Sequence, residues 1–417
     1  MTLTKIVTLI IFAACYSLAI SRKVKIAYAS VGSAVLLMLL GIVSPRLAVT
    51  EAIKWDVLGI YWGFMMVSFV FLESRVPALL AQKIIQLAPS EKWVLLSLCA
   101  LTAFLSAFME NVGVVLMMAP IALELSRRLG TSLFPYIVSI AISSNVVTTV
   151  TMVADPPSII LAMETGLVFK DFYWFHGKPG LGLITIVGVL AALLTLAIQF
   201  RGWNRKVDMP PERVPVTYGA SILFVVGVLG LAFGPEFGIR PGIVGAIAGL
   251  VALYLGRNKL REMIIEFDWN SFFFIIGVFV VISSLEVTGL LADFATAIHS
   301  LVGGTGPALS LAVIIWVSVA ASSFMDNVPY TVLMIPVCEH LASLMGVSPW
   351  PFLFGMLIGT GIGGNITPVG AAANVFACGY LEKHGYKVEL KEYLKLGLPF
   401  SVTAVAVAHL LLQLIWG

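Results

Sequence analysis

Charge is scarce in this sequence. Asp, Glu, Lys and Arg supply 11% of its 417 residues, less than half the ~25% usual in soluble domains. A chain with so little charge cannot cover itself with a solvated surface, which excludes a soluble enzyme, a nucleic-acid binder and a disordered scaffold. Net charge is only +3, spread over short loops, so nothing favours an acidic polymer as partner. Cysteine is scarce as well. Cys15, Cys99, Cys338 and Cys378 lie far apart with no Cys-x-x-Cys spacing, which gives neither a disulfide framework nor a zinc site and leaves them as apolar packing residues. Glu339-His340 resembles half a zinc motif, but no His-Glu-x-x-His occurs, so metalloprotease chemistry has no basis and no metal site is expected. No phosphate-binding loop occurs either. The expectation is no enzyme and no cofactor, with a proton or sodium gradient as the energy source unless an ATPase subunit serves the chain from outside.

Apolar residues are abundant instead, at 59%, with a mean hydropathy of +1.02. That is more apolar surface than a soluble fold of this size can hide, so the fold class expected is an all-α polytopic membrane protein. The run Ile6–Ile20 is read as a first span and not a leader, because more positive charge follows it, at Arg22 and Lys23, than precedes it, at Lys5. Spans of about 20 apolar residues are expected near 3–20, 27–44, 56–73, 133–165 (interrupted), 179–199, 217–234, 241–256, 269–287, 348–381 (interrupted) and 396–416. Two further apolar stretches, 93–126 and 305–345, each carry a carboxylate and an asparagine near the middle and read as re-entrant hairpins. With the N-terminus outside, Lys5, Arg46, Lys54, Lys170, Lys178 and Arg240 fall on the outer side and the other 19 of the 25 basic residues on the inner side. The positive-inside rule then predicts ten full spans, two hairpins and both termini outside a plasma (inner) membrane. Arg75–Leu87 and Thr288–Leu301 are amphipathic and are expected to lie along the membrane surface.

The sequence repeats itself. Phe108-Met109-Glu110-Asn111-Val112 recurs as Phe324-Met325-Asp326-Asn327-Val328 at an offset of 216 residues. The same offset pairs Ser106 with Ser322, Pro120 with Pro336, Gly130 with Gly346, and the stretch from Thr151 to Ser158 with that from Thr367 to Asn374; Trp55-Asp56 and Gly63 match Trp269-Asn270 and Gly277 at 214. On the expected topology Trp55 enters from outside and Trp269 from inside, so the halves read as two inverted repeats, the mark of secondary transporters. The organisation expected is N-terminal scaffold helices at 1–44, a first repeat at 45–200 with an inward-opening hairpin, an inner linker at 201–216 holding Pro210, Pro211 and Pro215, scaffold helices at 217–258, and a second repeat at 259–417 with an outward-opening hairpin.

Four motifs carry the chemistry. Glu110-Asn111 and Asp326-Asn327 place carboxylates at membrane depth, where each costs ~2.5–3.5 kcal/mol on insertion scales. Their duplication marks them as functional. Burial beside another carboxylate favours proton uptake near neutral pH, so Glu110 and Asp326 are the expected proton-coupling pair. The other two motifs are broken spans. One packs Ser143, Ser144, Asn145, Thr148, Thr149 and Thr151 ahead of Asp155-Pro156-Pro157-Ser158; the other holds Gly361, Gly363, Gly364, Pro368 and Gly370 within ten residues. Unwound backbone is tolerated at depth only where it is buried in protein or lines a cavity, and half-helix ends there bind ions.

At these residues the sequence resembles the ArsB/NhaD permeases of the ion transporter superfamily. The matching stretches are Ser323 to Thr331, Gly363-Gly364-Asn365-Ile366-Thr367-Pro368-Val369-Gly370, and Asp155-Pro156-Pro157. The resemblance implies scaffold and transport domains, a homodimer and an elevator mechanism. Dicarboxylate members carry Ser-Asn-Thr at both hairpin tips; the acidic tips here are more similar to arsenite exporters, sodium/proton antiporters and the pigmentation P-protein type. The expected substrate- and ion-binding set is Glu110, Asn111, Ser144, Asn145, Thr148, Thr151, Asp155, Asp326, Asn327, Thr331, Gly363, Gly364, Asn365, Thr367 and Asn374. The function expected is proton-coupled efflux of arsenite or antimonite, a small inorganic solute. Sodium/proton antiport and anion or dicarboxylate symport are the alternatives.

Overall fold

A computed structural model describes residues 2–21, 24–207, 215–302 and 306–417. The inner-side charges Arg22, Lys23 and Arg213 and the linker prolines Pro210 and Pro211 lie outside the described residues. Among the described residues the fold is helical apart from one two-residue ribbon, β1 (Trp174–Phe175) against β2 (Lys178–Pro179). The first half runs α1 (Leu3–Ser21), α2 (Ile26–Leu39), the single turn α3 (Pro45–Leu47), α4 (Trp55–Glu73), α5 (Val76–Leu87), α6 (Glu91–Ser106), α7 (Asn111–Leu129), α8 (Phe134–Asn145), α9 (Pro156–Thr165) and α10 (Leu181–Gln199). The second runs α11 (Gly219–Phe233), α12 (Pro241–Leu255), α13 (Leu260–Glu266), α14 (Trp269–Thr288), α15 (Leu290–Val302), α16 (Pro307–Ser322), α17 (Asn327–Met345), α18 (Trp350–Gly363), α19 (Ala372–Lys383) and α20 (Leu390–Trp416).

Six helices are long and apolar enough to cross a membrane: α4, α10, α11 with its short extension to Phe237, α14, α17 and α20. Helix α12 with the bent segment Arg257–Glu266 makes a seventh. The ten spans expected are therefore not all met as unbroken helices. The expected span 27–44 ends after Leu39, because Gly41 turns the chain at φ +69° and Ser44 caps a new turn behind it. The two interrupted spans are pairs of short helices, α8 with α9 and α18 with α19.

The two halves exchange partners. Helix α12 packs along α4, and α2 packs along α14. Both crossings are backbone to backbone. A Cβ on Gly63 would fall 1.8 Å from the Gly245 carbonyl oxygen, and one on Gly277 would fall 2.5 Å from the Ser30 carbonyl carbon. These are the two glycines paired by the internal repeat, so small residues at matched positions set matched helix contacts. Helices α10 and α20 pack on each other where Gly188 meets the Ala404 backbone.

The described part of the expected linker is not a free tether. The amides of Glu91 and Lys92 donate to the carbonyls of Arg205 and Trp203 (2.8 and 3.0 Å), and the Arg205 guanidinium donates to the Leu129 carbonyl (2.8 Å). It holds both ends of the α6–α7 hairpin together, satisfying helix-end groups that have no partner within their own helices.

Candidate functional site

Two helical hairpins turn at the duplicated motifs. Helix α6 stops at Ser106 and α7 starts at Asn111; α16 stops at Ser322 and α17 starts at Asn327. Each tip carries its own cap. The Glu110 carboxylate accepts from the amides of Val112 and Gly113 (2.9 and 2.6 Å), and the Asp326 carboxylate accepts from Val328 (2.9 Å). These are amides that a helix start otherwise leaves without partners, and the negative charge sits at the positive end of the helix dipole. The far ends close alike, on Gly130 (φ +61°) and Gly346 (φ +67°). The motif residues paired at 216 are thus one capped hairpin used twice.

The breaks lie against these tips. Between α8 and α9 the chain unwinds over 146–155, and between α18 and α19 over 364–371. Side chains take up the freed carbonyls at matched positions. Thr151 donates to the Ala107 carbonyl, and Thr367 donates to that of Ser323. Ser158 donates to the Thr148 carbonyl (2.6 Å), and Asn374 to that of Gly364 (3.0 Å). Leaving such a buried group unpaired costs about 1–3 kcal/mol. The halves then interlock through amides: Asn111 donates to Asn145 (3.4 Å), and Asn145 donates to both Asn365 and Asn374 (2.9 Å each).

Both tips and both breaks, the second through Gly370 and Ala371, face one cavity of about 790 Å³. Its opposite wall comes from α4 (Tyr61, Phe64, Ser68) and the start of α14 (Asn270, Ser271, Phe274), with Lys25 and Asp268 also in the lining. Among the described residues, Glu110, Asp155, Asp268 and Asp326 are its carboxylates and Lys25 its one cation. Asp155 faces Asn327 and lies within electrostatic reach of Asp326 and Glu110. A second cavity of about 480 Å³ lies toward the other end of α14, against Phe279, Ser283 and Glu286; Glu51, Glu164 and Glu339 join it, with Lys54 paired to Glu164 at 3.1 Å.

A sequence model of the CitMHS family, described as citrate transporter, matches residues 16–359. The chain belongs to the CitMHS family. An uncharacterized transporter of Mycobacterium tuberculosis is 30% identical over 432 residues, with 98% of each chain covered. The P protein of Homo sapiens is 24% identical, over 91% of this chain and 56% of its own length. Among solved structures, the YdaH transporter of Alcanivorax borkumensis superposes with a TM-score of 0.60 at 13% identity, covering 91% of this chain and 87% of that one. MtrF of Neisseria gonorrhoeae, placed in a class of antimetabolite efflux pumps, gives 0.59 at 11% identity, over 90% and 83%. These two likenesses show the fold. This CitMHS protein is a multi-pass membrane transporter. The ArsB/NhaD membership that the motifs implied is not what these matches show.

Of the residues expected to bind substrate or ion, Glu110, Asn111, Asn145, Thr148, Asp155, Asp326 and Asn327 line the CitMHS cavity. Ser144, Thr151, Thr331, Gly363, Gly364, Asn365, Thr367 and Asn374 stand outside the lining. Of these, Ser144, Thr151, Thr367, Asn365 and Asn374 hold tips and breaks by hydrogen bonds. Gly363 lets α18 touch the Val319 backbone and Gly364 lets the second break fold onto Gly370. Tyr61, Phe64, Ser68, Asp268 and Ser271 were not expected. Their only signal was the repeat match at the starts of α4 and α14, which marks the helices and not the faces they turn to the cavity.

Proposed function

We propose that this CitMHS protein is a secondary transporter that couples a small solute to a proton or sodium gradient, with arsenite or antimonite as the first substrate class. The observation that carries the reading is the cavity's charge: four carboxylates against the single ammonium of Lys25. A bare polyanion would meet like charge in a partly desolvated space, at a cost of several kcal/mol, and each helix N-terminus offsets only about half a charge. Undissociated arsenite avoids that cost, and its hydroxyls find the amides of Asn111 and Asn327 and the hydroxyl of Thr148. Sodium/proton antiport suits the same carboxylates. The family description favours one further reading, in which citrate enters with its charge offset by protons or cations.

Hairpins and breaks on one side, α4 and α14 on the other, fit an elevator in which the first group moves against the second. The second cavity then serves the opposite membrane face. A homodimer fixed through the scaffold, with both termini outside a plasma membrane, completes the reading; an ATPase partner is not required by it. A flux panel in proteoliposomes tests it. Arsenite, sodium and citrate are offered separately, each with and without an imposed pH gradient. Gradient-driven arsenite or sodium movement is expected, without uptake of metal-free citrate at neutral pH. Robust uptake of metal-free citrate with no arsenite or sodium flux overturns it.

A further inference from the structure

Three helices begin at this cavity with a carboxylate in the capping position: Glu110 for α7, Asp155 for α9 and Asp326 for α17. Two of them are committed to their own helices, as the amide bonds of Glu110 and Asp326 show. Asp155 makes no such bond. The cause is in the sequence. A capping side chain takes the amide of the second or third helical residue. Here the first two are Pro156 and Pro157, which carry no N–H, and the third amide, of Ser158, is already given to the Asp155 main-chain carbonyl (3.1 Å). The repeat partner of Asp155 at the offset of 216 is Ala371, so this carboxylate is not part of the duplicated frame. It is also half-buried, whereas Asp326 is exposed to the cavity.

A second observation points to a ligand at the same place. The Thr148 side chain is 2% exposed and lines the cavity, yet its hydroxyl has no hydrogen-bond partner. Room for it is kept by Gly361, where a Cβ would come within 2.4 Å of that oxygen. The Oδ1 atom of Asn111, in the same lining, also lacks a partner. Oxygen acceptors without donors, beside a carboxylate that has no helix-cap donors and is met by the Asn327 side chain, make an environment for a cation.

We infer that Asp155 is the residue that binds the coupling cation, with the Thr148 hydroxyl and Asn111 amide oxygen beside it, while Glu110 and Asp326 act as fixed caps that shape the tips. This rests on the secondary-transporter reading and revises which carboxylates load the ion. The charged or titratable groups acting on Asp155 are Asp326 at the start of α17, Glu110 at the start of α7 and Tyr61 of α4; Asp268 and the single cation Lys25 share the cavity lining, so an incoming cation meets net negative charge there.

The test needs no substrate. Proteoliposomes on a solid-supported membrane are given a pH jump in one arm and a sodium jump in the other, and the transient binding current is read. Wild type is expected to respond in one arm, with Asp155→Asn at least tenfold smaller and Glu124→Gln, in an exposed ion pair with Arg128 away from the cavity, retaining the response. Asp155→Glu keeps a carboxylate and is expected to respond with a displaced midpoint. Should Asp155→Asn not yield folded protein, that displacement decides, with Glu124→Asp as the comparison whose midpoint stays. A wild-type-sized current in folded Asp155→Asn, or an unmoved midpoint in Asp155→Glu, overturns the assignment while leaving the transporter reading in place. No current from wild type in either arm overturns both.

Discussion

At the scale of single residues, one side chain ties the two breaks together. Asn145 is 2% exposed and gives its two N–H groups to Asn365 and Asn374. Replacing it with leucine orphans two buried carbonyl oxygens, at about 1–3 kcal/mol each. We expect Asn145→Leu to lower the apparent Tm in detergent far more than a surface change does, and a wild-type Tm would show the amide chain to be ornamental. The caps are a milder case. Asp326→Ala loses the bond to Val328 and is expected to cost about 1 kcal/mol, whereas asparagine is as good a cap as aspartate; thermal unfolding of Asp326→Ala beside Asp326→Asn separates cap from charge. Glu110 and Asp326 could be picked out from sequence because a carboxylate in an apolar stretch is costly and theirs recurred. Asp268 and Tyr61 could not, since nothing in their own surroundings distinguishes a cavity wall from an ordinary helix start.

At the scale of elements, glycine decides which helices touch. The crossing of α4 with α12 leaves no space between the Gly63 and Gly245 backbones, and neither side can yield as a flexible side chain would. Gly63→Ala is therefore expected to force the helices apart, at ~1–3 kcal/mol or more, and to abolish the monodisperse peak in size-exclusion chromatography. Gly32→Ala in α2 is the control: nothing lies within 4 Å of the added methyl, and alanine favours a helix by about 0.5–1 kcal/mol. Equal behaviour of the two variants would mean that the crossing does not hold the fold. The hairpins and breaks were legible at this scale because prolines, glycines and polar runs interrupt an otherwise unbroken apolar pattern. The early stop of α2 was not, because Gly41 sits inside a stretch whose hydropathy continues past it.

At the scale of the molecule, the two cavities lie toward opposite ends of α14. Ser271 lines the larger and Ser283 the smaller. Of the four native cysteines, three are buried and Cys378 is half-buried, so a Cys378→Ser background leaves little competing reactivity. In sealed vesicles of known orientation, an impermeant maleimide is expected to label Ser271→Cys from one side only and Ser283→Cys from the other. Labelling of both from the same side would rule out cavities serving opposite faces.

Composition and the internal repeat determined by themselves that this is a helical membrane protein with paired hairpins and paired breaks. Those features depend on local backbone chemistry and on the cost of polar groups in lipid, both readable one segment at a time. Which residues face solute was decided only by the tertiary structure. The motif residues of each break split into those that line the cavity, such as Asn145 and Thr148, and those that hold it from behind, such as Thr151 and Thr367. That division depends on where the tip of one hairpin, the break of either half and the wall formed by α4 and α14 come together, and residues so far apart in the chain carry no local mark of meeting. Asp155 shows both levels at once. Its two prolines are written in the sequence, but that its carboxylate, released from capping, meets the Asn327 side chain is a consequence of the fold.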